Sequence, residues 1–211
     1  MPVGSIQSPS EITGPPVSTT AGCRGPLHTR DFRGIAKLTL TVTLIFLAGG
    51  VMAAKDSSGK LKLTTTAFRP GEAIPTEFTC SGANISPALS WNQPPPRTQS
   101  FVLIVDDPDA PAGTWVHWVV YNLPASARQL PEHVPPGGAI EGGGEQGVND
   151  FPMRGYGGPC PPPGKPHRYF FRLYALDIIL DLRAPAHRKD VDSAMKGHVL
   201  AQAELMGTFG R

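Results

Sequence analysis

Three apolar runs limit what this chain can fold into: "SFVLIVDDP" at Ser100–Pro108, "WVHWVVYNLP" at Trp115–Pro124 and "RYFFRLYALDI" at Arg168–Ile178. Each is about ten residues long and rich in β-branched and aromatic side chains, so each reads as a strand rather than a helix. Two shorter segments join them. "LKLTTTAF" alternates Leu61, Leu63, Thr65 and Ala67 with polar neighbours, as a half-buried strand does, and "ALSW" runs into a proline cluster. Twenty-four glycines and twenty-four prolines in 211 residues punctuate the runs with turns. The expected class is therefore mainly β, a sandwich with long Gly/Pro-rich loops. No internal repeat is visible, which predicts one domain behind whatever leader the chain carries.

From Pro124 to Tyr156 the glycine content is too high for any regular element. A helical period shows only near the C-terminus, where Val191, Met195, Val199, Gln202 and Met206 fall at 3.6-residue spacing behind Asp190 as N-cap. This predicts one C-terminal amphipathic helix lying on the sandwich.

The N-terminal quarter reads as a leader. "LTLTVTLIFL", Leu38–Leu47, has ten uncharged residues, preceded by Arg30, Arg33 and Lys37 and followed by small residues up to Ala53. That is the pattern of a secretory signal peptide, and it falls short of the ~20 apolar residues that a membrane-spanning helix needs. The expected division is 1–34 as a disordered or mis-called extension, 35–54 as the signal peptide, cleaved near Ala53, and 55–211 as the folded domain. The expected location is periplasmic or secreted, or cytoplasmic if the leader does not function. Cys23 precedes the apolar core instead of following it, which argues against lipid attachment.

The leader through Ala54 holds four of the nineteen basic and two of the seventeen acidic residues, leaving fifteen of each behind it. A neutral domain lacks the basic face of a nucleic-acid binder. Two cysteines remain, Cys80 and Cys160. Their even number in an exported chain permits a disulfide, with two buried free thiols as the alternative. Their spacing is far too wide for a zinc knuckle, and no CxxC occurs.

Alternation along the strands groups Asp107 with Phe101, Leu103 and Val105, His117 with Trp115, Val119 and Tyr121, and His167 with Tyr169, Phe171 and Leu173. If those faces meet, Asp107, His117, His167 and Tyr169 converge at one end of a core. Singly, each has an ordinary structural role, as a turn former, a bonded core histidine or a core aromatic. "GYGGPCPPPGKPHRY", Gly155–Tyr169, adds glycines whose amides can turn towards an anion and prolines that stiffen the loop. A proline-rich structural loop would read the same way.

"FVLIVDDPDAP", "WVHWVVYNLP" and "YGGPCPPPGKPHRYFFRLYALD", in this order and accompanied by "ISPALSW" and "GVNDF", resemble the phosphatidylethanolamine-binding protein family, specifically its bacterial Raf-kinase-inhibitor-like branch. The likeness extends from Leu61 to Phe209. It implies a β-sandwich with a small pocket for phosphate, acetate or a phospholipid head group. By motif position the pocket residues are Asp107, Asp109, His117, His167 and Tyr169, with Gly158 and its neighbours as a loop wall offering backbone donors. The short loop from Pro111 to His117 matches the bacterial branch. "DFPMRGY" departs from it, with Met153 and Arg154 set to reshape the rim. Bacterial relatives also suggest a homodimer.

A carboxylate repels an anion unless it acts through a neighbour. Asp107 is therefore expected to fix a charged imidazole that donates to the ligand, so that binding weakens as pH rises above about 6.5. No cofactor or metal is expected. A metal-dependent hydrolase is the enzymatic alternative, but the chain has neither HExxH nor a nucleophile elbow. An inhibitor of a protease- or kinase-type protein partner is the third reading, and it requires an exposed apolar patch beside the glycine-rich loop.

Overall fold

A computed structural model describes residues 60–211, so the leader, its cleavage point and Cys23 lie outside the described residues. Eight strands follow in chain order: β1 (Leu63–Thr64), β2 (Leu89–Trp91), β3 (Ser100–Asp107), β4 (Trp115–Pro124), β5 (Gln129–Leu130), β6 (Glu145–Gln146), β7 (His167–Leu176) and β8 (Val199–Phe209). Among the described residues one α-helix, α1 (Arg188–Ala194), precedes β8, and a single 3-10 turn spans Thr76–Phe78. The strands form a small sheet, β1-β2-β5, and a large one, β6-β4-β3-β7-β8, with every pairing antiparallel. This is the expected mainly β sandwich.

β3 lies at the centre of the large sheet and is buried along its whole length. Phe101, Leu103 and Val105 face the first core, with Trp118, Val120, Phe171 and Leu173 beside them and Leu63, Leu89, Trp91 and Leu130 from the small sheet. Val102 and Ile104 face a second core, closed by Val119, Tyr121, Leu180 and the helix residue Val191. Burial on both faces explains why β3 reads as an almost continuous apolar run instead of an alternating one. Each fully buried Phe, Leu or Ile side chain contributes roughly 1.5–3 kcal/mol of transfer free energy.

β4 breaks the simple alternation. Val105 pairs with Trp118 but Asp106 pairs with Val116, leaving His117 as an extra residue, a β-bulge. The expected grouping of His117 with Val119 and Tyr121 is thereby corrected. Val119 and Tyr121 face the second core, while Trp118 and Val120 face the first.

The C-terminal helix exists but is short. It ends at Ala194 and the chain turns through Gly197, whose φ of +85° suits glycine. Val199, Gln202 and Met206 therefore belong to β8 and not to the helix. Ala203, Leu205 and Gly207 of β8 face Leu173, Phe171 and Tyr169 of β7, and a Cβ on Gly207 would stand 2.6 Å from Ile74. Asp190 is not the N-cap. His187 is, and the Asp190 carboxylate accepts the His187 N–H at 2.9 Å from the third helical position. The glycine-rich segment also carries two short strands, β5 and β6, where none was expected. "LKLTTTAF" keeps only Leu63–Thr64 as strand.

Candidate functional site

The C-terminal end of β3, the start of β4 and the start of β7 lie together, so Asp107, Trp115, His117 and His167 line one cleft of about 200 Å³. Phe151, Ala110 and Pro111 complete one side, and Cys160, Pro161 and Pro162 the other. Cys160 is disulfide-bonded to Cys80, 80 residues away in sequence, with the Cα atoms 5.4 Å apart.

Asp107 is 3 % exposed and both its oxygens are engaged. Oδ1 accepts the Asp109 N–H at 2.8 Å, and Oδ2 meets His167 Nδ1 at 2.8 Å. His167 thus donates to the carboxylate through Nδ1, which leaves Nε2 for a ligand. His117, 2 % exposed, donates from Nδ1 to the Gly157 carbonyl at 2.6 Å. Burial, above all, lowers its pKa below the ordinary 6.5, against the raising effects of the Gly157 bond and the Asp107 charge. The neutral form of His117 is thereby favoured, with Nε2 as the ring nitrogen not engaged by Gly157.

Tyr169 is fully buried with its ring centroid 5.2 Å from that of His117, edge to face. Its hydroxyl lies near the Asp107 carboxylate without a well-formed hydrogen bond, and burial, followed by that nearby charge, pushes its pKa well up. Trp115 Nε1 is likewise buried without a partner. Trp91 Nε1 and Tyr121 Oη share that condition; like Tyr169 they do not line the cleft, but Tyr169 packs against His117, which does.

Two expected members are placed elsewhere. Asp109 turns outward to Arg168, whose Nε and Nη2 donate to its two oxygens at 2.9 and 2.7 Å. The Arg168 hydrogen bond, chiefly, holds the Asp109 carboxyl far below the usual carboxylate range. Gly158 donates its N–H to Asn84 Oδ1 at 2.7 Å and is not a free backbone donor. Its lack of a side chain serves packing, since a Cβ there would come within 2.5 Å of the Phe78 carbonyl.

Two further residues shape the cleft. Asn149, buried, donates to the carbonyls of His117 and Gly155 and accepts from the N–H groups of Phe151 and Met153. It thereby holds Phe151 over the site, with ring centroids 5.3 Å from His117 and 5.5 Å from Trp115. An asparagine in a glycine-rich loop signals a turn, and only the fold shows what that turn presents. Phe151 and Met153 remain 36 % and 37 % exposed at the rim. Among the described residues, no group of three or more His, Cys, Asp or Glu side chains is placed to hold a metal ion.

The chain is similar to several known proteins over the described domain. A family model described as phosphatidylethanolamine-binding protein matches residues 64–210. A UPF0098 protein of Methanothermobacter thermautotrophicus is 51 % identical over 151 residues, which cover 72 % of this chain and 99 % of the relative. One from Aquifex aeolicus is 46 % identical over 169 residues, covering 79 % and 94 %. Among solved structures, a Chlamydia trachomatis protein described as a PEBP homolog is similar with a TM-score of 0.67 and 41 % identity, covering 73 % of this chain and 99 % of that one. Escherichia coli YBCL, described as a member of the mammalian PEBP family, is similar with a TM-score of 0.66 and 34 % identity, covering 72 % and 99 %.

Proposed function

This chain belongs to the phosphatidylethanolamine-binding protein family, and from that premise we propose that it is a non-enzymatic binding protein holding a small anion, phosphate or a phospholipid head group, against His167, Trp115 and Tyr169. The observation that carries the reading is the pair of buried donors left without partners. An indole N–H can only donate, and a buried donor without an acceptor costs about 1–3 kcal/mol. Trp115 lines the cleft, and Tyr169 lies behind that lining with its ring edge to face against His117. An anion seated against these residues would supply an acceptor for the buried donors.

His167 is held by Asp107 through Nδ1, which leaves Nε2 to meet the ligand and keeps the Asp107 carboxylate engaged. Calorimetric titration with phosphate and with glycerophosphoethanolamine tests this. The Trp115→Phe and Tyr169→Phe variants should each lose about tenfold or more in affinity, the loss of one hydrogen bond to a charged group. Undiminished binding by both variants contradicts the reading.

A second reading, a protein-partner inhibitor using the rim, is favoured by one observation: Phe151 and Met153 form an exposed apolar edge beside the cleft. Retention of a protein by the wild type but not by Phe151→Ser/Met153→Ser would support it. Export through the leader at 35–54 belongs to the same proposal, supported by the Cys80–Cys160 bond, which suits an oxidising compartment. A mature N-terminus near Lys55 is the expected result of N-terminal sequencing, and an uncut leader on the recovered protein would contradict it.

A further inference from the structure

A second, wider groove of about 390 Å³ runs between β1 and β8, and a third of about 370 Å³ lies beside the helix start, but neither shares a lining residue with the cleft. A fourth does. It encloses about 670 Å³ and is lined by Pro162, Pro163, Lys165, His167, Arg168 and Asp109. Pro162 and His167 belong to both spaces, so the outer groove adjoins the cleft at His167.

The two spaces differ in charge. No lysine or arginine lines the inner cleft, whose one carboxylate, Asp107, is matched by His167. In the outer groove Asp109 is cancelled by the paired contacts of Arg168. Lys165 is exposed and, among the described residues, forms no ion pair. Among the side chains that line the groove, Lys165 therefore carries the one positive charge without an ion-pair partner, and the carboxylate of Asp109 is already occupied. Arg211 adjoins the same loop, its guanidinium donating to the Pro161 carbonyl and its backbone oxygen accepting the Gly164 N–H at 3.1 Å. An ammonium group placed in the groove would meet the Lys165 ammonium, whereas a second acidic group would find a free donor.

We propose that the outer groove is a second subsite selecting ligands with two acidic groups, the first held in the inner cleft and the second at Lys165. The inference rests on the anion-binding reading of the cleft. It runs against an aminoalkyl head group as the preferred ligand, because the position next to the anion is cationic.

Three hydrolysis-resistant series separate the possibilities: alkylphosphonates, ω-aminoalkylphosphonates and ω-carboxyalkylphosphonates, each with two to four carbons, titrated calorimetrically at constant pH and ionic strength. At one or more chain lengths the carboxyalkyl ligand should bind about two- to fivefold tighter than the alkyl parent, the range expected of an exposed ion pair. The aminoalkyl ligand should bind more weakly than the parent. Lys165→Gln should abolish both differences while leaving the alkylphosphonate affinity in place, and added salt should shrink them in the wild type. Equal binding of all three series, or preference for the amine, overturns the second subsite while the cleft reading survives. Failure of every phosphonate to bind overturns both. Differences that persist in Lys165→Gln overturn the assignment to Lys165.

Discussion

Adjacent aspartates at the end of β3 serve opposite faces of the sheet because a strand sends successive side chains to opposite sides. Asp107 faces the cleft and orients His167, whereas Asp106 faces the second core and is held by Arg172 and Arg188. The bulge in β4 gives His117 a burial that its pKa records. A histidine whose folded pKa is lowered binds fewer protons folded than unfolded, so stability is full above the unfolded value of about 6.5 and is lost as pH falls below it. Urea midpoints measured from pH 7.5 to 5 should fall with pH, and His117→Gln should flatten that slope. An unchanged slope in the variant would assign the effect to other groups. Motif position named Asp107, His117, His167 and Tyr169 together, and the strand pattern placed His167 with Tyr169, but parity failed at His117, which the bulge in β4 separates from Val119 and Tyr121. The surroundings of Asp109 were not legible, since Asp107 accepts its N–H and its carboxylate meets Arg168, 59 positions away. The same holds for Gly158, whose partner Asn84 is 74 positions distant, a bond that no local pattern encodes.

The helix is fastened to the sheet by charge as well as by Val191. Arg188 bridges Asp106 of β3 and Asp192 of its own turn, and Arg172 of β7 bridges Asp106 and Glu204 of β8. Asp106, 1 % exposed, is thus, among the described residues, the one carboxylate shared by two arginines from different elements. Removing one partner of a buried pair leaves the other charge uncompensated, at a typical cost of 3–5 kcal/mol. Both arginines retain some solvent contact, so Asp106→Ala should cost about 3 kcal/mol in chemical denaturation. Arg188→Ala should cost less, since Arg172 still meets the carboxylate. Equal losses would mean that the helix contact alone sets the stability. At this scale the long strands were readable because β3, β4 and β7 are dense in bulky side chains. β8 was hidden: its inner face is Ala201, Ala203, Leu205 and Gly207, residues too small to print a period of two. The period of 3.6 that shows through there begins in a real helix and runs on by coincidence into the strand.

The small sheet contributes three short strands, β1, β2 and β5, and the segments that wall the cleft are held to the rest by particular ties more than by sheet pairing. The disulfide is the longest-range covalent one. It closes 80 residues, for which loop-closure entropy predicts a stabilisation of ~4 to 5 kcal/mol exerted on the unfolded chain. The Cys80→Ser/Cys160→Ser variant should therefore lose up to about that much in its denaturation midpoint relative to the oxidised protein, and dithiothreitol should lower the wild type to the same level while leaving the variant unmoved. Ligand affinity should behave differently. The stretch leading to Cys160 is also anchored by Tyr156 Oη to the Phe78 carbonyl at 2.9 Å, by Gly158 N–H to Asn84 at 2.7 Å and by Cys80 N–H to the Pro159 carbonyl at 3.1 Å. With these bonds intact, the folded variant should keep a cleft wall close to that of the wild type and bind phosphate with similar affinity. Lost affinity in a variant that remains folded would mean that the disulfide positions Cys160–Pro162 in the native state. Unchanged stability would mean that the reduced, unfolded chain already keeps the two cysteine segments close, so that the bond removes little entropy.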